Sequence, residues 1–476
     1  MLPVIKRRAA LAVLVRVAGM AVGAALAGCG PTTASARPVR PARVQIVPVQ
    51  MYIVGVPQSP PVQQLIQHFF DRTFNAAQRT LRVIVGFQAP ATTTVTALTA
   101  GGNAPWILSG CCVDWPMYLP FLERLDPFLR ADNISETRWG TGQLSAFRNN
   151  GALYALPEDA ACDVYLYRQD ILDQLGLSYP APDWTAAEAL QLWRSCTGRT
   201  SSGAWRYGTG CPFGPGTTEG LPTVVAGFGG RFMDTAGTRC LLDEPGSIAA
   251  GRYWLHMVWD HIATWGDGSP NPAIQTGELV FTTAADPTVL YAVQQLGPSV
   301  KWDFIPWPRL PARRVGKLHD NFYGMSATVP DKAAAWEVLR FIAIEPQWSR
   351  FYMKFGLAPP MFASLMQEWY AVLRSTAPIL RGKHLEYWGE PTLRGEGVYD
   401  YAFFKYQPTQ ALSLLQSLWT QAWNRQLPVH QAFQQAAAQI NALQKAAATG
   451  PPPPTAKQQM AAGRRARARL QTMFEP

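Results

Sequence analysis

The stretch Val44-Gln45-Ile46-Val47-Pro48-Val49-Gln50-Met51-Tyr52-Ile53-Val54-Gly55-Val56 opens the folded body of the chain. It is rich in β-branched residues and includes a first strand. Residues 61–77 change period: Val62, Leu65, Ile66, Phe69, Phe70 and Phe74 share one helical face. Leu81-Arg82-Val83-Ile84-Val85-Gly86-Phe87 reads as a second strand, Thr92 to Ala100 as a second helix, and Trp106-Ile107-Leu108-Ser109 as a third strand. Strand, helix, strand, helix, strand implies an α/β fold with helices packed on a parallel sheet.

Downstream, residues 183–196 form an amphipathic pattern with Thr185 as N-cap and Glu188 three residues on, the spacing of a capping box. Residues 247–264 and 332–344 predict further helices, and 409–448 predicts long ones. The glycine-rich stretch 199–240 reads as loop. Pro451 to Pro454 form a stiff spacer, and the basic end beyond it is expected to be flexible. There is no internal repeat.

The N-terminus carries a different signal. Lys6, Arg7 and Arg8 precede an acid-free stretch that is mostly Ala, Val, Leu and Gly, ending in Leu26-Ala27-Gly28-Cys29. A positive start, an apolar run and small residues before a cleavage point describe a secretory leader over 1–28. The last four residues resemble the bacterial lipobox, which implies lipid on the Cys29 sulfur. The competing reading is an ordinary leader with a chance cysteine. Residues 29–50 then serve as a tether and the start of the first strand. Stable anchoring needs at least two lipid chains.

Net charge is +10. Four basic residues lie in the leader, and the tail after 450 has an excess of four, which leaves the body near +2. A nucleic-acid binder needs a basic face on its folded domain, so no nucleic-acid partner is expected. Of seven cysteines, six remain once Cys29 is set aside. An even number in an exported chain suggests disulfides, with 15 possible pairings. Cys196 with Cys211 is the favoured bridge, because a Gly/Ser-rich loop separates them. The adjacent Cys111 and Cys112 do not easily bridge each other. No spacing matches a zinc site, so no metal or other cofactor is expected.

The chain lacks G-x-S-x-G, H-E-x-x-H and Walker-type loops, and no motif supports an enzyme. It does have 17 Trp and 16 Tyr. Aromatic rings stack on sugar faces while carboxylates, amides and Arg hold the hydroxyls. Core packing is the alternative use of each ring. Trp115, Trp184, Trp265, Trp302, Trp307 and Trp388 sit beside Pro, Gly or Asp, in predicted loops where binding residues concentrate.

Several motifs occur in a telling order. They are Ala100-Gly101-Gly102-Asn103-Ala104-Pro105, Leu125-Asp126-Pro127-Phe128-Leu129, Gly151-Ala152-Leu153-Tyr154-Ala155-Leu156-Pro157 and Val164-Tyr165-Leu166-Tyr167-Arg168-Gln169-Asp170-Ile171-Leu172. Leu175-Gly176-Leu177, Pro182-Asp183-Trp184-Thr185, Phe304-Ile305-Pro306-Trp307-Pro308, Ala334-Ala335-Trp336-Glu337-Val338-Leu339-Arg340-Phe341-Ile342 and Phe355-Gly356-Leu357-Ala358-Pro359 follow, and a last helix begins at Val429. Over about residues 45–445 this order resembles the extracellular solute-binding proteins of ABC importers, the family of the maltose- and glycerol-phosphate-binding proteins. Trp106 stands where that family has Asp, and Arg168 where it has Asn.

The resemblance implies a type II, two-lobed periplasmic-binding-protein-like fold with ligand in the cleft between lobes. Lobe one is placed at 51–157 plus 309–358, and lobe two at 163–302 plus 361–445. Candidate ligand residues are those at strand ends and crossings: Gln58, Gln88, Asp114, Trp115, Glu158, Asp159, Trp265, Trp307, Asn321, Tyr323 and Trp388. Rings beside acids and amides favour a sugar or polyol. The implied partners are that small ligand, ABC permease subunits and the membrane through Cys29, for a monomer on the extracytoplasmic face. A non-sugar ligand, a sensory role and an exported carbohydrate-active enzyme are the competing readings.

Overall fold

The computed structural model describes residues 44–51, 60–87, 104–110, 115–140, 142–215, 220–265, 272–284, 293–297, 299–318, 321–355, 358–399 and 404–449. The expected leader, Cys29, the expected helix over Thr92 to Ala100, Cys111, Cys112 and the tail from 450 lie outside the described residues. So do Gln58, Gln88 and Asp114.

In chain order the first described strands are β1 (Gln45–Met51), β2 (Leu81–Phe87), β3 (Ile107–Gly110), β4 (Arg148–Asn149), β5 (Ala152–Leu153), β6 (Leu156–Pro157) and β7 (Val164–Arg168). There follow β8 (Gly198–Arg199), β9 (Trp205–Gly210), β10 (Ala263–Thr264), β11 (Leu279–Ala284), β12 (Trp302–Ile305), β13 (Gly316–Leu318), β14 (Phe322–Met325) and β15 (Gly397–Tyr399). One sheet has the order β2-β1-β3-β14-β6 and the other β10-β9-β11-β7-β12. Both are mixed rather than all parallel. In the first, β1, β2 and β3 are parallel and β14 runs against β3 and β6. In the second, β7 runs against both β11 and β12, while β9, β10 and β11 are parallel.

Local rules explain the elements that position the site. In β1 and β2, Val47, Val49, Val83 and Val85 point into the core, while Ile46 and Ile84 face outward. All five residues of β7 are buried, as expected of a central strand covered on both faces. The helix Ala186–Cys196 starts with the capping box read from sequence: the Glu188 amide donates to Thr185 Oγ1 and the Thr185 amide to Glu188 Oε2. The stretch expected as one helix over 247–264 divides into the helix Pro245–Trp259 and strand β10, because His261 at φ 55 ends the helical path. The region expected as loop, 199–240, holds β9 and the helix Leu221–Gly227.

Strand β2 is a sheet edge whose outward backbone groups are occupied. Gln63 and Gln67 on the helix Pro60–Arg72 donate to the carbonyls of Val85 (2.8 Å) and Val83 (3.0 Å), and Gln67 accepts from the Val85 amide (2.9 Å). Asn75 accepts from the Val83 amide (2.8 Å), and Gln78 from that of Leu81 (2.6 Å).

Each sheet has its own apolar core. Leu310 and Val315, expected in lobe one, pack in the second core, whereas Met361, Phe362 and Leu365, expected in lobe two, pack in the first. The chain therefore returns to the first sheet at about residue 321 rather than 309. Among the described residues no helix is long and apolar enough to cross a membrane.

Candidate functional site

Sheet direction locates the site. β6 is parallel to β3, because both run against β14. Its carboxyl end therefore lies on the edge where β1, β2 and β3 also end. From there residues 158–163 lead directly into β7. β7 runs opposite to its neighbours, so it begins at the edge where β9, β10, β11 and β12 end. The carboxyl edges of the two sheets thus meet across this crossing. Open α/β sheets bind ligands outside the carboxyl ends of their strands. The residues after β1, β2 and β3 that include Gln58, Gln88 and Asp114 follow that same edge in sequence.

Three crossings are stitched together at this junction. The Glu158 amide donates to the Asn321 carbonyl (2.8 Å), the Ala160 amide to that of Pro359 (3.1 Å) and the Asp163 amide to that of Lys317 (2.8 Å). Side chains reinforce the backbone. Asp159 accepts from Asn321 Nδ2 (3.1 Å) and from the Asn321 amide (3.3 Å). Gln143 Nε2 donates to the Asp159 carbonyl (3.1 Å), and Ser109 Oγ to Glu158 Oε2 (3.3 Å). Lys317 Nζ lies 3.8 Å from Asp163 Oδ2, with both side chains buried. Opposite charges in such a setting hold only as a pair, because burying either alone is costly. Tyr323, in the middle of this group, accepts from Trp348 Nε1 (2.9 Å). Burial, then the neighbouring Glu158, raises its hydroxyl pKa well above the ordinary value, so it stays protonated.

The structure thus brings together Glu158, Asp159, Asn321 and Tyr323, but as the buried fabric of a hinge. The expected ring platform is not formed by Trp115, Trp307 or Trp388, which the structure corrects to core residues. Trp115 is 2% exposed and meets Phe147 edge-on at 5.7 Å. Trp307 packs on Tyr165 at 5.2 Å and Trp388 on Trp369 at 4.9 Å. Their Pro, Gly or Glu neighbours do mark turns, yet each ring reaches inward to an apolar cluster. Trp265 differs. It directly follows β10 at the carboxyl edge, is 37% exposed, and its ring lies against Gly214, where a Cβ would come within 2.2 Å of it.

Cys196 and Cys211 are both buried free thiols, so the favoured bridge is absent. Cys196 ends a helix facing the core and Cys211 follows β9. Burial raises the Cys196 pKa to about 12 and that of Cys211 further, which keeps both thiols protonated and unreactive. Among the described residues no cluster of His, Cys, Asp and Glu could hold a metal ion.

Sequence reading missed the Asp163–Lys317 pair. An acid beside Val164 in an otherwise apolar run was the available signal. It also missed the arginines of Pro308-Arg309-Leu310-Pro311-Ala312-Arg313-Arg314, which line a cavity of about 690 Å³. The departure at Arg168 has a structural use: its guanidinium holds both Asp170 oxygens at 2.8 Å and the Ile274 carbonyl at 2.7 Å.

The family described as bacterial extracellular solute-binding protein matches residues 63–345, more than half of the chain. Among solved structures, the sugar-binding protein MalE from the phytopathogen Xanthomonas citri is 15% identical with TM-score 0.68, covering 84% of this chain and 98% of that one. The cyclic alpha-maltosyl-1,6-maltose binding protein from Arthrobacter globiformis is 16% identical with TM-score 0.66, covering 85% and 100%. The ABC substrate-binding protein Lmo0181 from Listeria monocytogenes, in complex with cycloalternan, is 16% identical with TM-score 0.64, covering 84% and 98%. No curated protein matches the chain in sequence.

Proposed function

This chain belongs to the family of bacterial extracellular solute-binding proteins, and on that footing we propose that it captures a sugar or polyol between its lobes and delivers it to an ABC permease. The carrying observation is the meeting of two carboxyl sheet edges across a three-stranded hinge, with Trp265 presented at that edge. Two rigid cores joined by a few crossings favour hinge closure around a ligand. An exposed indole suits the C–H face of a sugar ring. The MalE and cyclic maltosyl-maltose proteins, which share the fold, carry sugar-binding names.

The chain acts by binding, without catalysis. Exported and carrying lipid on Cys29, it works at the outer face of the membrane. Asp159 and Asn321 hold two crossings together through side chains, while Asp163 and Lys317 hold them by charge. These residues set the hinge geometry, and ligand contacts come from Trp265 and the segments after the strand ends, including Gln58, Gln88 and Asp114.

Intrinsic tryptophan fluorescence and melting temperature across a panel of mono- and oligosaccharides test the reading. A saturable response to one sugar class, without turnover, is the expected result. Hydrolysis of the bound sugar, or a response only to amino acids or peptides, would overturn it.

A further inference from the structure

The second lobe contains a basic cavity that the sugar reading does not use. About 690 Å³ in volume, it is lined by Thr185, Ala187, Arg309, Arg313, Arg314 and Glu396, among others. It lies just past β12, whereas Trp265 follows β10. These strands are the two opposite edges of the sheet, four strand spacings or about 19 Å apart. The two features therefore do not share one small ligand.

The cavity walls are fixed. The Arg309 amide donates to the Trp184 carbonyl (2.8 Å), the Ala186 amide to that of Arg309 (2.9 Å) and the Ala312 amide to that of Gly227 (2.9 Å). Pro308 and Pro311 restrict the same loop. Leu310 rests so closely on Gly227 that a Cβ there would meet it at 2.2 Å. The backbone of the loop is thus held in place, while the Arg309 and Arg313 side chains are exposed above it.

Its charge is unbalanced. Glu396 is gripped by Arg394, with Nε–Oε1 3.0 Å and Nη2–Oε2 3.2 Å. Neither Arg309 nor Arg313 has a carboxylate partner among the described residues. Arg314 donates to the Pro182 carbonyl (2.6 Å), yet its Nε is buried without an acceptor. Burial, together with Arg309 and Arg394, lowers the Arg314 pKa against the pull of Glu396 and Asp183. The Ala186–Cys196 helix also begins here, but its first amide is bonded to the Arg309 carbonyl and the Glu188 carboxylate caps that end, so the arginines carry the positive charge. Guanidinium groups bind tetrahedral oxyanions through paired N–H donors.

The geometry points to a phosphate-type oxyanion site in this cavity, separate from the sugar cleft. Its occupant is free phosphate or a phosphoryl group carried on a larger solute. An anion here would neutralise the Arg309–Arg314 loop, which runs straight into β13 and the return crossing. Occupancy would thus stiffen one side of the hinge.

The test is thermal unfolding of the purified protein with inorganic phosphate and glucose 6-phosphate, chloride holding ionic strength constant. Phosphate at tenfold its Kd should raise the melting temperature saturably by about 1–3 °C. The rise should vanish in Arg309→Ala/Arg313→Ala and persist in Trp265→Ala, whatever becomes of sugar binding. A phosphate response no larger than that of chloride would overturn the site. So would a rise retained by the double arginine variant. A response to glucose 6-phosphate alone, lost in Trp265→Ala as well, would instead make the arginines part of the sugar cleft and overturn a separate site.

Discussion

Replacing Trp115 with Ala separates a ligand platform from a core residue. The ring is 2% exposed and packs edge-on against Phe147 (5.7 Å) and Phe322 (6.5 Å). A buried tryptophan removes about 150–250 Å² from water, worth about 4–6 kcal/mol at 25 cal/mol per Å². Alanine keeps a small part of that, and the lost edge-to-face contacts add to the deficit. A loss of about 3–5 kcal/mol is therefore expected. Urea unfolding followed by circular dichroism reads it as a lower midpoint with an unchanged slope. Trp115→Phe, which keeps an aromatic filling, should cost less than half as much. Sugar affinity of the folded variant should stay within about threefold of the parent. Stability within 1 kcal/mol of the parent, combined with a tenfold or greater loss of affinity, would refute the assignment of this ring to the core.

Trp265→Ala should give the reverse pattern: about tenfold or more weaker sugar binding by titration calorimetry, with a stability change of at most about 1 kcal/mol. Lys317→Met should cost about 3–5 kcal/mol by removing the cation that lies 3.8 Å from the buried Asp163 carboxylate, and Lys317→Met/Asp163→Leu should recover much of that in the same urea assay. Asp126 feels burial, which raises its pKa, but hydrogen bonds from Arg124, the Leu153 amide and Arg148 more than offset it, so its folded pKa is lowered below 3.8. Its contribution is therefore complete above that value and lost as pH falls through the folded pKa. Asp126→Asn should be destabilised by about 2 kcal/mol at pH 7, and the gap to the parent should close below about pH 4 in pH-dependent melts. Alkylation without reductant should modify Cys196, Cys211 and Cys240 only after unfolding, as mass spectrometry of the digested protein would show; a Cys196–Cys211 disulfide peptide would contradict the free thiols.

The helices and strands legible in sequence were those specified by local contacts. Thr185 and Glu188 are three residues apart, and their reciprocal hydrogen bonds need nothing else from the fold. The Asp126 of Leu125-Asp126-Pro127 could be read only as a motif; the structure shows it accepting from Arg124, Arg148 and the Leu153 amide. The hinge was less legible because its bonds are long-range: Asp159 and Asn321 are 162 positions apart. Sequence could place Glu158, Asp159, Asn321 and Tyr323 near the crossings but could not reveal which way their side chains turn. The tryptophans misled for a similar reason. A neighbouring proline fixes the backbone of a turn, whereas the destination of a ring such as Trp307 depends on Tyr165 and Trp254 from distant elements.

The amide ladder along β2 has a consequence for how many copies can work side by side. An unpaired strand edge is a template for a second chain, and the proposed lipid at Cys29, just upstream of β1, would crowd copies onto a two-dimensional surface. Gln63, Gln67, Asn75 and Gln78 answer the outward groups of β2 from within the same molecule. They behave as a strand that is already there, supplied by side chains. Along β2 a neighbouring copy finds those donors and acceptors already taken, so this edge is closed to strand addition.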